Sequence, residues 1–350
     1  MAASNKEYNT GNKNKLLKSV WREGKCWLYL LPALAVVAVF LVYPMIKTGR
    51  MAFYTKYNYI RDIGSGFGLK AFNYVLSDAR FRQALINTLI ILLVGLPVSM
   101  VLALGIALLI NGRKKTYGIF QTIFFLPYVT STIAIGVVFS AILHSEYGYL
   151  NYILSLFGIK GPSWLGDPKY SVWSLIIFYI WSGLAFKVII LLAGLKRIDP
   201  QLYKSAKIDG SKGWRTFRRI TLPSLTPTFW MLSIVSVIYV FKIYNEVVAL
   251  FGGSGPAEKA MTLTYYVYDM FYSRNQVNYA AAAAVIQFAL ILVVTIIQKV
   301  VTKVLPIIEE VKNEESQAKK ENCGYHLPYY FDNRGCNNDL PLYMDVLYSL

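Results

Sequence analysis

The chain has 350 residues, of which 55% are hydrophobic and 16% charged, and its mean hydropathy is +0.42. That balance excludes an ordinary soluble domain, in which about a quarter of the residues are charged. The formal charge of +17 does not signal nucleic-acid binding, because most Lys and Arg flank apolar runs long enough to cross a hydrocarbon core.

In chain order, residues 1–25 are polar, carry six basic side chains and are expected to form a cytosolic tail. The apolar run 27–46 is long enough to span and lacks a small-residue cleavage site, so it is not a signal peptide. Trp27, Tyr29 and Tyr43 stand at its two ends as interfacial aromatics. The connection 47–80 contains Gly64-Ser-Gly-Phe-Gly68, which has no strand and helix context for a nucleotide loop. A second span is expected at about 84–110, kinked at Pro97. Arg113-Lys114-Lys115 then marks an inner turn, and a third span with Pro127 inside it is expected at about 118–143. The segment 144–170, with Gly161-Pro162 and Asp167-Pro168, reads as an outer loop with short helical pieces. The fourth, fifth and sixth spans are expected at about 171–194, 226–250 and 279–305. The alanines at 280–284 allow close helix approach, which places the sixth span inside the bundle.

Six spans make an all-α polytopic membrane protein with a body over 26–305. Six Lys and Arg in 1–25, three in 111–116, eight in 195–219 and six after 298 would face inward, against seven, two and two in the outer segments. Twenty-three against eleven puts both termini in the cytosol. Cys26, Cys323 and Cys336 form no even disulfide framework, which agrees with that side being reducing. The tail 306–350 changes character: 309–321 is highly charged and 322–350 is rich in tyrosine. Its Cys323, His326 and Cys336 match no metal-ligand spacing, so no metal is expected.

Catalytic motifs are missing. The stretch 252–259 lacks the Gly-Lys-Ser/Thr ending of a phosphate loop, and there is no nucleophile elbow, HExxH or CxxC pair. No catalytic residue is expected, and energy must come from an ion gradient or a separate subunit. Ionisable groups inside spans are costly and often functional. Lys187 lies in the fourth expected span, and Lys242 and Glu246 lie one helical turn apart in the fifth. One reading pairs Lys242 with Glu246 and lets Lys187 snorkel or bind a carbonyl. The other places all three on a hydrated substrate path with Trp181, Tyr239, Tyr244, Asn245 and Gln287. Rings stack on sugar faces, and amides and charges bind hydroxyls. A buried acid also fits an ion-coupled secondary transporter, the competing expectation.

Between the fourth and fifth spans lies the basic stretch 202–223. Asp199-Pro200 is a helix start, a helix over 201–208 follows, and Gly210 stands just past its end as a cap. Ser205 and Ala206 are small enough to approach a partner surface. A second helix is expected at about 214–220, ending before Pro223. Tyr203-Lys-Ser-Ala-Lys-Ile-Asp-Gly210, then nine residues, then Ile220-Thr-Leu-Pro223 resembles the EAA loop of binding-protein-dependent ABC importer permeases. Ala206, Asp209, Gly210, Ile220, Leu222 and Pro223 match that pattern, and Ser205 is a mild change. Lys204 stands where the family usually has Glu, which reverses the charge at a position that by resemblance faces the ATPase.

Trp27-Leu-Tyr-Leu-Leu-Pro32 with Tyr43-Pro44 is similar to carbohydrate permeases of the maltose and glycerol-phosphate transporter type. So are Phe81-Arg-Gln-Ala-Leu-Ile-Asn-Thr88 and Asn245-Glu246 followed by Phe251-Gly-Gly-Ser-Gly-Pro256. The resemblance covers 26–305 and implies a type I ABC importer permease fold with a cytosolic coupling loop at 195–225. It implies a second related permease subunit, two ATP-binding subunits and an extracytoplasmic solute-binding protein, in a bacterial inner membrane. ATP and Mg would be used by the partner ATPase, with no cofactor bound by this chain. The sugar is left open: Lys187, Lys242 and the basic first outer loop leave room for an acidic saccharide beside neutral ones.

Overall fold

Backbone in a membrane must satisfy its own hydrogen bonds, and the apolar runs do so as helices. The computed structural model describes residues 27–112, 122, 128 and 130–324. The tail 1–25 with Cys26, the basic triplet 113–115, Pro127 and the end of the chain with His326 and Cys336 lie outside the described residues. The chain divides into two units, Met1–Gln298 and Lys299–Leu350.

Helix α1 covers Trp27–Ala52, six residues beyond the expected span. Strands β1 (Tyr54–Asn58) and β2 (Ile63–Phe67) pair as an antiparallel hairpin, Tyr54 opposite Phe67 and Asn58 opposite Ile63. The glycine cluster therefore serves a hairpin. A Cβ on Gly64 would lie 2.5 Å from the Tyr54 ring, and Gly66 has φ +69°. Helix α2 (Lys70–Ser77) leads to the long α3 (Ala79–Asn111), whose first N–H groups are capped by Asp78, accepting from Arg80 N at 2.9 Å. Helices α4 (Thr132–Ile142) and α5 (Tyr149–Leu156) precede α6 (Ser171–Lys196). Of the third expected span, only α4 and its flanks are described. Then come α7 (Pro200–Ile208), α8 (Gly213–Phe241), α9 (Asn245–Phe251), α10 (Leu263–Tyr268) and α11 (Val277–Gly324). Five of these helices are long and apolar enough to cross a membrane: α1, α3, α6, α8 and the Val277–Thr302 part of α11.

Two expectations are corrected. The fifth span does not run 226–250: it starts within the basic stretch at Gly213, ends at Phe241, and α9 is a separate helix after a break at 242–244. Nor does a short helix end before Pro223. It continues into α8 because a wide π-type turn, Phe217–Thr221, precedes the proline, with Leu222 N donating to Phe217 O. The same device precedes Pro44 (Ala38–Val42) and Pro97 (Ile91–Gly95), each time ending two residues before the ring. A proline ring collides with the carbonyl one turn back in a regular helix, and the widened turn opens that space.

Close packing relies on small residues. Ala280, Ala281, Ala282 and Ala283 are buried, as expected from their small size. Gly136 on α4 sits where an added Cβ would lie 2.1 Å from Ala249 Cβ on α9. Gly136→Ala is therefore expected to cost about 1–3 kcal/mol by overpacking, read as a lower melting temperature in detergent. Gly105→Ala on α3 is the control: its added methyl meets nothing within 4 Å, and the melting temperature should hold or rise.

Candidate functional site

The last carbonyls of a helix have no partner within it, and far from water each must find one elsewhere. Helix α8 stops inside an apolar stretch, and three side chains meet that need. Phe241 O accepts from Thr264 Oγ1 at 2.6 Å and from Gln287 Nε2 at 2.9 Å, and Ile243 O accepts from Thr262 Oγ1 at 2.6 Å. Gln287 also donates to Thr264 Oγ1 at 2.8 Å, so both its N–H groups are committed. Gln287 lies ten residues into α11, which places the break about 15 Å along that helix from its hairpin end. An apolar helix that enters a hydrocarbon core about 30 Å thick at that end would reach its middle at this point. The segment between the break and α10 is held at the same level by α3. Asn87 Nδ2 donates to Lys259 O and Met261 O, both at 2.8 Å, and Thr88 Oγ1 accepts from Leu263 N at 3.2 Å.

The break gathers some of the path residues inferred from sequence and separates others. Glu246, 4% exposed on α9, accepts from the Tyr239 hydroxyl of α8. The Tyr239 ring lies 6.0 Å from Tyr179 on α6, a residue the sequence reading passed over. Lys187, 3% exposed, stands 4.9 Å over the Tyr179 ring and makes a long 3.4 Å contact to Gly183 O. Trp181 packs on Phe139 at 4.8 Å. Lys242 and Asn245 are exposed at the break. The expected i, i+4 pairing of Lys242 with Glu246 fails because the helix does not continue between them. Tyr244 turns instead to Tyr268 and Tyr265, at 4.7 and 5.9 Å. Gln287 is a brace for the break, with only its oxygen left for a ligand.

At the other end of α8, the basic stretch folds as its residues dictate. Asp199 caps α7 by accepting from Gln201 N at 2.8 Å. Gly210 takes φ +68° while Ser211 N reaches back to Ala206 O at 2.9 Å. The Tyr203 hydroxyl and Thr221 Oγ1 are 3.0 Å apart, which pins α7 to the first turns of α8. Lys204, Ser205, Asp209 and Gly210 are exposed, and Ile208 is 87% exposed. Ala206 is buried against its own chain, so its small size serves internal packing and not a partner surface. Ile220 is half-buried, and Leu222 and Pro223 lie on an exposed face of α8.

The hairpin end carries an ion network absent from the sequence reading. Arg80 at the start of α3 forks onto Glu258, at 2.6 and 2.9 Å, and onto Asp269 at 2.8 Å, while Arg274 reaches Asp269 at 3.1 Å. Glu258 and Ala257 have φ +59° and +49°, so the fork holds a turn that side chains disfavour. Burial opposes ionisation of Asp269, but the Arg80 hydrogen bond and charge outweigh it and hold its carboxyl below the usual value.

The family described as "Binding-protein-dependent transport system inner membrane component" matches residues 64–305. The "Lactose transport system permease protein LacF" of Rhizobium radiobacter is 32% identical over 78% of this chain and 92% of its own length. The "Trehalose/maltose transport system permease protein MalF" of Thermococcus litoralis is 29% identical over 82% of this chain and 96% of its own. Among solved structures, a chain of a bacterial ABC transporter involved in the import of the acidic polysaccharide alginate superposes with a TM-score of 0.70. It is 27% identical and covers 83% of this chain and 98% of its own.

Two outcomes are expected from the site. Gln287→Leu removes one of the two donors to Phe241 O and should lower stability by about 0.5–2 kcal/mol in a thermal melt. The Asp269 carboxyl is lowered on folding, so its contribution is complete above the ordinary carboxylate range and is lost as pH falls through the lowered value. Protease protection of the 252–276 loop should therefore weaken on acidification, and Asp269→Asn should show that weakness already at neutral pH.

Proposed function

We infer the role of this chain from one premise: it belongs to the binding-protein-dependent transport system inner membrane component family. It is the membrane-spanning permease of an ABC importer for an oligosaccharide or related carbohydrate, with the type I permease fold. Relatives named for lactose and for trehalose and maltose support the substrate class, as does the alginate importer, solved also with an alginate pentasaccharide-bound periplasmic protein. ATP and Mg would be used by two ATP-binding subunits on the α7 side, with a second related permease beside this chain and a solute-binding protein outside. On this reading the α7 end is cytosolic, the hairpin end faces outward, and the membrane is the bacterial inner membrane. As a transporter component, the chain itself would hydrolyse nothing.

The observation that carries the mechanism is the continuity of α8. Its 29 residues form one rod of about 43 Å, joined to α7 by the Tyr203–Thr221 contact and ending at the braced break. A shift of α7 as the ATP-binding subunits close is thereby delivered to Tyr239, Tyr244, Asn245 and Glu246, the alternating-access step. Lys204 is exposed, where the EAA pattern that this stretch resembles has Glu, and would meet a carboxylate on its ATP-binding partner. The ion-coupled alternative is not favoured, since the one buried carboxylate in the described spans and break is engaged by a phenol.

Gly210→Glu tests the reading. The added Cβ meets nothing within 4 Å, but φ +68° strains any side chain, and the new charge would face an acidic partner. The variant should insert into the membrane normally, lose co-purification of the ATP-binding subunits and lower ATP-driven uptake at least about tenfold, a loss of about 1.4 kcal/mol or more. Unchanged association and uptake would overturn the assignment of α7 as the docking element.

A further inference from the structure

Tyrosines recur along α10 and the wide turn that continues it, Asp269–Ser273. Tyr265, Tyr268 and Tyr272 stand three and four residues apart, the spacing of one helix face. Their rings form a series: Tyr244–Tyr268 at 4.7 Å, Tyr268–Tyr272 at 4.8 Å and Tyr244–Tyr265 at 5.9 Å. Tyr272 continues to Phe271 at 4.8 Å, and Phe271 to Tyr59 of the hairpin turn at 5.4 Å. The series therefore climbs from the α8 break to the hairpin end, and from Tyr265 to Tyr272 it rises about 10 Å.

Three observations point to a ligand. A cavity of about 370 Å³ lies along the series, lined by Tyr244, Tyr268 and Tyr272 with Thr264 and the small face Ala280, Ala281 and Ala284 of α11. That volume falls within the range of small-molecule sites. The rings are tilted by 46° and 34° to one another, so they do not close face to face, and Tyr268 and Tyr272 remain 37% and 69% exposed. The series also reaches the depth of the break, well below the headgroup level at which membrane-interface tyrosines anchor a helix.

We propose that Tyr272, Tyr268 and Tyr244 form a stacking ramp on which a saccharide descends from the hairpin end to the α8 break. A sugar presents apolar C–H faces and a rim of hydroxyls, and a phenol offers a ring face for the first and a donor–acceptor hydroxyl for the second. Successive rings at near-constant spacing let a chain of sugars exchange one contact for the next without leaving the apolar surroundings. The ramp ends at the break, where Tyr244 adjoins the exposed Asn245 and Thr264 lines the cavity. The proposal rests on the carbohydrate reading above.

The test uses the complete transporter, with its partner subunits and binding protein, in lipid vesicles. Uptake of radiolabelled lactose, maltotriose and arabinotriose is measured against ATP hydrolysed. For the sugar that is carried, Tyr268→Ala and Tyr272→Ala should each lower sugar moved per ATP about three- to tenfold, while Tyr268→Phe and Tyr272→Phe stay within about twofold. An unchanged ratio in the alanine variants overturns the ramp and leaves the carbohydrate reading standing. So does a fall in complex yield and ATP hydrolysis with the ratio unchanged, which would make the rings anchors for lipid or for a neighbouring subunit. Failure of the wild-type assembly to carry any of the three sugars counts against both.

Discussion

A peptide carbonyl left without a partner in a membrane interior costs several kcal/mol, and the α8 break leaves two there. Thr262, Thr264 and Gln287 answer that constraint, and much of the surrounding structure follows from it. The threonines lie at the start of α10, so α10 must begin at the level of the break. Gln287 lies well inside α11, so α11 must pass beside the break. Asn87 and Thr88 of α3 hold the returning chain from the other side. The side chains at the break are thereby released from helical register: Tyr244 faces α10, and Glu246 faces back to Tyr239.

The prolines represent the opposite solution, bending without breaking. At Pro44, Pro97 and Pro223 the wide turn ends two residues earlier, and the helix continues with one hydrogen bond spanning five residues. In α8 both devices occur on one rod. The wide turn lies beside α7, through the Tyr203–Thr221 contact, and the braced break lies at the opposite end of the rod.

Much of this was legible in the sequence. Apolar length located the first, second, fourth and sixth spans, Asp199-Pro200 and Gly210 bounded α7, and the alanine run identified the buried face of α11. The break was not legible, because Lys242-Ile-Tyr-Asn-Glu246 contains no glycine or proline and interrupts an otherwise continuous apolar run. Its only signals are far away, in a glutamine and two threonines whose partners are backbone carbonyls. The reading of Lys242 and Glu246 as helical neighbours failed with it. The direction of Ala206 was equally hidden, since a small residue suits an internal contact as well as an external one. The π-type turn in front of Pro223 cannot be seen in composition, so the proline looked like a terminus. The tyrosine series was visible as a spacing in the sequence, but its continuation through Tyr244 depends on the break.

The charges around the break bear on what the membrane part is built to carry. Lys187 and Glu246 are both buried, and each meets an aromatic side chain: Lys187 lies over the Tyr179 ring, and Glu246 accepts from the Tyr239 hydroxyl. Opposite charges in a low dielectric gain most by direct contact, and these two have aromatic partners in its place. The phenols replace it with softer partners, a ring face for the ammonium and a hydroxyl for the carboxylate. Such partners can be exchanged for a ligand's hydroxyls at little net cost, whereas a closed ion pair would have to be broken first. An ion relay needs a different arrangement, with several acids in reach of one another and of water. Aromatic partners of this kind suit a polyhydroxylated ligand that forms and releases many modest contacts in turn.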